Sequence, residues 1–252
     1  GLRYATGLAI DEHDNVFTTD QQGVQNCFNE LNVIRPGRAY GVPAQLDEKT
    51  DEPAESAAVE LPHPWTRSVN GICYVPCDRD WPLSRDFGGQ IIGAEYDTRF
   101  LVRFSTQVVD GVMQGAVYPL CPPGQPSLTE HLTGPLSVAI SPDGDLYVGN
   151  IYDSGWQGGL NTGDITRPCR KGDLPNGIRE VRATPEVFEI EFLKPINRQR
   201  AGDASNYQLA SYTRVWQGSY ATPDSGRHTP TITTAAVDAT GTLISLNVDG
   251  LK

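Results

Sequence analysis

Two segments of equal length carry the same alternation of apolar and polar positions. Gly7 to Asp20 reads GLAIDEHDNVFTTD and Ser137 to Asn150 reads SVAISPDGDLYVGN: an apolar strand, a four-residue polar turn, then a second apolar strand ending in Asp or Asn. Period-two alternation around a short polar turn predicts a β-hairpin at each place, with Asp143-Gly144 supplying positive-φ positions in the second. A looser third copy starts near Asn70 (NGICYVP, then GGQIIGAEYDTRFLVRF) and divides the interval into steps of 63 (70 − 7) and 67 (137 − 70) residues. A repeat of about 65 residues built of short strands is the pattern of wide propeller blades, with a β-sandwich carrying coincidental hairpins as the alternative.

The pattern changes after a Gly/Pro-rich connection, Asn161 to Gly177. From Arg182 onward, VFEIEFLKPI (Val187 to Ile196) alternates, a turn follows at Gly202-Asp203, then NYQLASYTRVW (Asn206 to Trp216), and strands are predicted near Thr231 to Val237 and Thr242 to Val248. Strands at this spacing predict an Ig-like sandwich. The chain is therefore expected to be all-β: propeller blades over 1–165, a linker over 166–181 and an incomplete Ig-like β-sandwich over 182–252. Asp47 to Glu60 holds six acids and one Lys; it is expected to be a solvated loop between blades, since its spacing matches no EF-hand.

Composition narrows the partners. Gly (26) and Pro (19) turn the backbone often and exclude long helices. Twenty Lys and Arg against 31 Asp and Glu leave a net charge of −11 with no basic cluster, which argues against nucleic acid or an anionic membrane as partner. No apolar run approaches the roughly 18 residues of a membrane span. The chain opens and closes within strand-like patterns, so it is read as a piece of a longer protein. Few Lys, one Met and five Cys (Cys27, Cys73, Cys77, Cys121, Cys169) suit a secreted or periplasmic protein, in which one disulfide or two could form. The Cys73/Cys77 pair has no nearby His for zinc, and the Cys-x-x-Cys-His of a c-type haem is absent.

At the first hairpin the chain begins to resemble a family. GLRYATGLAIDEHDNVFTTDQQG, NELNVIRPGRAYGVP, LPHPWTRSVNGICY, FGGQIIGAEYDTRFLVRF and LSVAISPDGDLYVGN, in order over about residues 1 to 160, resemble the quinoprotein glucose/sorbosone dehydrogenases. These are six-bladed propellers that oxidise sugars with pyrroloquinoline quinone and calcium. A closer likeness is to large secreted bacterial proteins in which such a propeller precedes an Ig-like module and often a cytochrome c module. The resemblance implies that the chain holds the second half of a six-bladed propeller plus the start of the next domain, with any haem in a module outside this chain.

The resemblance also places residues. Calcium would be held partly by the backbone carbonyls of Gly23 and Val24, which do not depend on side chains. Arg3 matches the Arg that contacts the quinone, with a salt bridge in the propeller mouth as its alternative role. His63, among Pro62, Pro64 and Trp65, falls where the family lines its cofactor pocket, with packing beside Trp65 as the alternative; His13 and His228 read as exposed bystanders. Tyr4 replaces a polar residue, a Lys falls at Asp97 and two Arg fall at Gly134 and Leu136, so three cations are lost and Asp97 adds a negative charge against a tricarboxylate quinone. Each lost charge-assisted hydrogen bond costs about 1.5–3 kcal/mol. The family's catalytic His lies upstream of Gly1. Two functions follow: quinone-dependent oxidation of a sugar or polyol, its electrons passing to a cytochrome module of the same parent, or a non-catalytic propeller that binds carbohydrate or another surface polymer.

Overall fold

The computed structural model describes residues 2–23, 28–41, 55–61, 63, 65–120, 132–155, 158–170, 172–214 and 224–250. Within them the chain is all-β, its strands arranged in antiparallel sheets. Among the described residues no helix is long and apolar enough to cross a membrane.

The two repeated segments form the expected hairpins. β1 (Gly7–Ile10) pairs with β2 (Val16–Asp20), and β3 (Asn29–Ile34) and β4 (Val59–Leu61) extend the sheet in the order β1-β2-β3-β4. The Asp11 carboxylate accepts the backbone N–H groups of His13 and Asn15, which lets Asp14 take a φ of 60°. β4 begins within the end of the acidic run read as loop: Val59 and Leu61 alternate with Glu60 and are buried, and that short alternation outweighs the charge before it. Residues 47–54 of the run lie outside the described residues.

The third copy is looser because a connection with a short helix separates its strands. β5 (Val69–Tyr74) is followed by α1 (Pro82–Phe87), β6 (Ile91–Glu95), β7 (Phe100–Val109) and β8 (Val112–Pro119), forming a sheet β5-β6-β7-β8. The second hairpin is β9 (Pro135–Ile140) and β10 (Leu146–Tyr152), joined by β11 (Thr162–Thr166). Of Asp143-Gly144 only Gly144 takes a positive φ, 87°, and the Ser141 hydroxyl and carbonyl close the turn by accepting from Asp145 N and Gly144 N.

These three sheets stack face to face. Phe17, Leu31 and Val33 pack against Ile72, Val102 and Phe104 on one face of the middle sheet, while Ile92, Ala94 and Leu101 on its other face meet Val138, Leu146 and Val148. Burial on both faces explains why IIGA, the first four residues of β6, is apolar without alternation. The first strands approach most closely: a Cβ on Gly7 would stand 2.3 Å from Asn70 O, and one on Gly71 would stand 2.8 Å from Ser137 Cα. The outer faces of the first and third sheets leave Leu8, Ile10, Ile151 and Ile165 exposed.

A further sheet follows, β12-β13-β17-β16, from β12 (Ile178–Ala183), β13 (Val187–Phe192), β16 (Ile232–Val237) and β17 (Leu243–Val248). A two-stranded ribbon, β14 (Ser211–Arg214) and β15 (Asp224–His228), stands beside it. β12 begins within the 166–181 stretch read as linker. The strand expected from Asn206 starts only at Ser211, because Asp203 caps a 3-10 turn over Ala204–Asn206 with its carboxylate. β12 docks on β7 and β8 through Arg103, which is buried against the rings of Phe87 and Tyr118 (4.3 and 4.8 Å). Its guanidinium donates to the carbonyls of Ile178 (2.8 Å) and Arg179 (2.9 Å) and to Gln90 Oε1.

Candidate functional site

Gln22, just after β2, gathers the residues that the sequence singled out from separate stretches. Its carbonyl accepts from Arg3 Nη1 at 2.8 Å, and its side-chain Nε2 lies 2.9 Å from His63 Nδ1 and 3.4 Å from the Arg67 carbonyl. Asn29 Oδ1 accepts Gln22 N at 3.1 Å. The Arg67 carbonyl only accepts, so the amide nitrogen faces both groups; His63 Nδ1 is then the unprotonated acceptor and its proton sits on Nε2. Gln22 is buried at 1% exposure, and its Oε1 has no hydrogen-bond partner among the described residues.

Gly23 fits this arrangement for a steric reason. A Cβ there would stand 2.0 Å from Arg3 Nε, so only glycine lets the guanidinium lie over the backbone. Arg3 is held from the other side by Asp20, whose buried carboxylate accepts the N–H groups of Arg3 (2.8 Å), Tyr4 (2.6 Å) and Gln21 (3.0 Å). Arg3 thus bonds a carbonyl, and its backbone bonds Asp20. Val24, the other carbonyl assigned to a cation, lies outside the described residues. Trp65 packs on Phe100, with ring centroids 5.4 Å apart, while His63 is tied to Gln22.

The second half of the site corrects the charge reading. Asp97 is not an isolated negative group: its carboxylate meets Arg67 Nη1 at 2.9 Å. Arg67 and the following loop are fixed by Glu95, which is fully buried and accepts from the N–H groups of Arg67 (2.8 Å), Ser68 (2.6 Å) and Thr98 (2.5 Å) and from the Thr98 hydroxyl. Burial pushes the Glu95 carboxyl above its usual range, against those hydrogen bonds. At Gly134 there is no room for an arginine or any side chain, since a Cβ would stand 2.1 Å from Ile151 O and 2.9 Å from the Tyr96 ring. Leu136 is exposed on β9 and Tyr4 is exposed beside Arg3. Arg99, in a left-handed conformation at φ 64°, lies 5.3 Å over the Tyr152 ring.

Sequence reasoning missed Gln22 and Arg67 as site residues, although both lie within the quoted motifs. It also missed a row of acids across the first sheet, where Asp20 pairs in register with Glu30 and Glu30 with Glu60. Burial raises the Glu30 carboxyl to about 7, opposed by the hydrogen bond from Asn32 (2.9 Å) and assisted by Asp20 and Glu60. Cys73, Cys77 and Cys169 are free thiols. Cys73 packs into the core on one side of β5, while Tyr74 turns to the other and meets Cys77 Sγ at 3.8 Å, so no disulfide joins Cys73 to Cys77. Among the described residues no group of three or more His, Cys, Asp or Glu is placed to hold a metal; Gly23 O and Gln22 Oε1 offer backbone and amide oxygens instead.

No protein-family model matches the chain, and no curated protein does. Similar solved structures include a glucose dehydrogenase-type oxidoreductase from Thermus thermophilus (19% identity over 66% of this chain and 45% of that one, TM-score 0.48). They also include the PQQ-bound form of aldose sugar dehydrogenase from Streptomyces coelicolor (18%, 66% and 42%, 0.46). A third is the apo form of the soluble aldose sugar dehydrogenase from Escherichia coli (16%, 66% and 45%, 0.45). The chain spans less than half the length of each of these structures.

Proposed function

We propose that residues 1–165 are blades of a dehydrogenase-like propeller whose mouth, built on Gln22, takes a sugar or polyol for quinone-dependent oxidation, and that residues 182–252 form an Ig-like module beside it. The observation that carries this reading is the meeting of Arg3, Gly23 and His63 on one residue, across some sixty positions of sequence. The exposed apolar positions of the first and third sheets support further blades on either side. Export to the periplasm or outside the cell, and a cytochrome c module of the same parent as electron acceptor, belong to the same reading.

The residues fit a hard cation. The buried Gln22 Oε1, unpartnered among the described residues, and the carbonyl of the next residue, Gly23, are neutral oxygen donors of the kind calcium takes, though two donors alone hold it loosely. Pyrroloquinoline quinone, when bound, would accept the electron pair from the substrate carbinol carbon. Arg3 and Arg67 are the cations at hand for anionic groups, the second already balanced by Asp97. His63, with its proton on Nε2, serves as a hydrogen-bond donor to bound ligand and not as a base. A non-catalytic carbohydrate-binding propeller is the second reading, favoured by Gly134, where no cation can stand.

The deciding experiment is quinone affinity with calcium and dye-coupled sugar oxidation, read on the parent protein and on its Arg3→Ala and His63→Ala variants. Micromolar quinone binding with turnover, both lost in the variants, supports the oxidoreductase. Sugar binding at the mouth without quinone binding supports the second reading, and neither activity overturns both.

A further inference from the structure

A concavity lies far in sequence from Gln22, in the C-terminal part. It lies between the β14–β15 ribbon, whose register slips between Ser211 and Thr213, and the β12-β13-β17-β16 sheet, with Thr229 to Thr231 connecting β15 to β16. Asp249 N donates to Thr231 O at 2.9 Å and Gly250 turns the chain with φ 81°, which shapes the opposite rim. The space enclosed is about 570 Å³, within the roughly 300–1,000 Å³ of small-molecule sites.

Its lining is divided by chemistry. Phe188, Leu209 and Val248, from the local apolar cluster, contribute the apolar floor. Tyr212, His228 and Asp249 contribute the walls. The Tyr212 ring is steadied by Arg227, whose guanidinium lies 4.6 Å from its centroid and also pairs with Asp224. His228 Nδ1 lies 3.2 Å from the Gly226 carbonyl. A carbonyl only accepts, so neutral His228 carries its proton on Nδ1 and turns Nε2 into an acceptor. The Asp249 carboxylate and the hydroxyls of Ser211 and Thr229, which also line the cavity, form no hydrogen bond among the described residues.

We propose that this cavity is a binding site for a neutral saccharide, separate from the Gln22 site. A sugar ring presents a C–H face to the apolar floor and neighbouring hydroxyls to the walls. Those hydroxyls donate to Asp249 and to His228 Nε2, and they accept from Ser211 and Thr229. Among the described residues the one formal charge lining the cavity is the Asp249 carboxylate, so an anionic sugar is repelled. The volume admits about one or two rings.

The test is titration of the chain with neutral oligosaccharides (cellotriose, xylotriose, maltotriose and chitotriose) and with trigalacturonate as the anionic control, read by calorimetry and saturation-transfer NMR. At least one neutral probe is expected to bind, about tenfold or more weaker in Asp249→Ala and in His228→Ala, with melting temperatures unchanged because both side chains are exposed. Binding should persist in Arg3→Ala and His63→Ala, which separates this site from the propeller mouth. No binding of any neutral probe at roughly 10 mM, binding unaffected by the Asp249 and His228 variants, or a preference for trigalacturonate would each overturn the proposal.

Discussion

Replacing Arg103 with methionine tests how the last sheet is fastened to the middle one. Methionine keeps most of the length and the apolar contact with Phe87 and Tyr118 but removes the guanidinium. Arg179 O retains a donor, since Gln90 Nε2 reaches it at 2.9 Å, so the acceptors deprived include Ile178 O and Gln90 Oε1. The buried Gln90 Oε1 left without its donor costs about 1–3 kcal/mol, and the part-buried Ile178 O less, while removing a desolvated charge returns part of that. The net destabilisation is expected at about 1–3 kcal/mol, and more for Arg103→Ala, which adds a cavity. Urea denaturation followed by tryptophan fluorescence measures it. Cleavage by trypsin near Arg170, on the connection to β12, should accelerate in parallel as the junction opens. A loss below about 0.5 kcal/mol with unchanged cleavage would refute the reasoning, because it would show that apolar packing alone holds β12.

Glu30→Gln should stabilise the protein above neutral pH. The folded carboxyl titrates near 7 against a usual 4.5, so its stabilising effect is complete below about pH 4.5 and lost as pH rises toward 7; the variant should gain up to about 3 kcal/mol at pH 8 and little at pH 4. Equal melting shifts at both pH values would contradict this. Gln22→Glu should reverse the His63 tautomer, since a carboxylate accepts from Nδ1–H; two-bond ¹H–¹⁵N correlation spectra showing the same tautomer in both proteins would show that Gln22 does not set it. Gly71→Ala should cost about 2 kcal/mol or more, because its Cβ would stand 2.8 Å from Ser137 Cα and 2.9 Å from Leu136 O; a melting temperature equal to wild type would mean that the sheets can separate at little cost.

The hairpins were legible because period two and a polar turn are local properties: both Gly7–Asp20 and Ser137–Asn150 reappear as adjacent paired strands. β4 was hidden because three alternating residues were submerged in acidic charge, and the late start of β14 depends on a cap at Asp203 that competes with strand. Arg3, Gly23 and His63 were legible through quoted motifs. Gln22 was not, since a buried amide gains its role only where residues 3, 29, 63 and 67 converge, and no local pattern encodes that meeting. The neutralisation of Asp97 by Arg67 depends likewise on the loop pinned by Glu95. The C-terminal cavity is lined by residues of two separate sheets, a tertiary meeting with no period of its own.

The close approach of Gly7 to Asn70 and of Gly71 to Ser137 has a kinetic consequence. These contacts join strands more than sixty residues apart, and backbones can touch at that distance only when each hairpin is already in register. Local hairpins should therefore form early and the docking of β1 on β5 and β5 on β9 late, with loop-closure entropy placed on the rate-limiting step. Side chains added at Gly7 or Gly71 would then slow refolding as well as speed unfolding, since their clashes arise in the docking step itself.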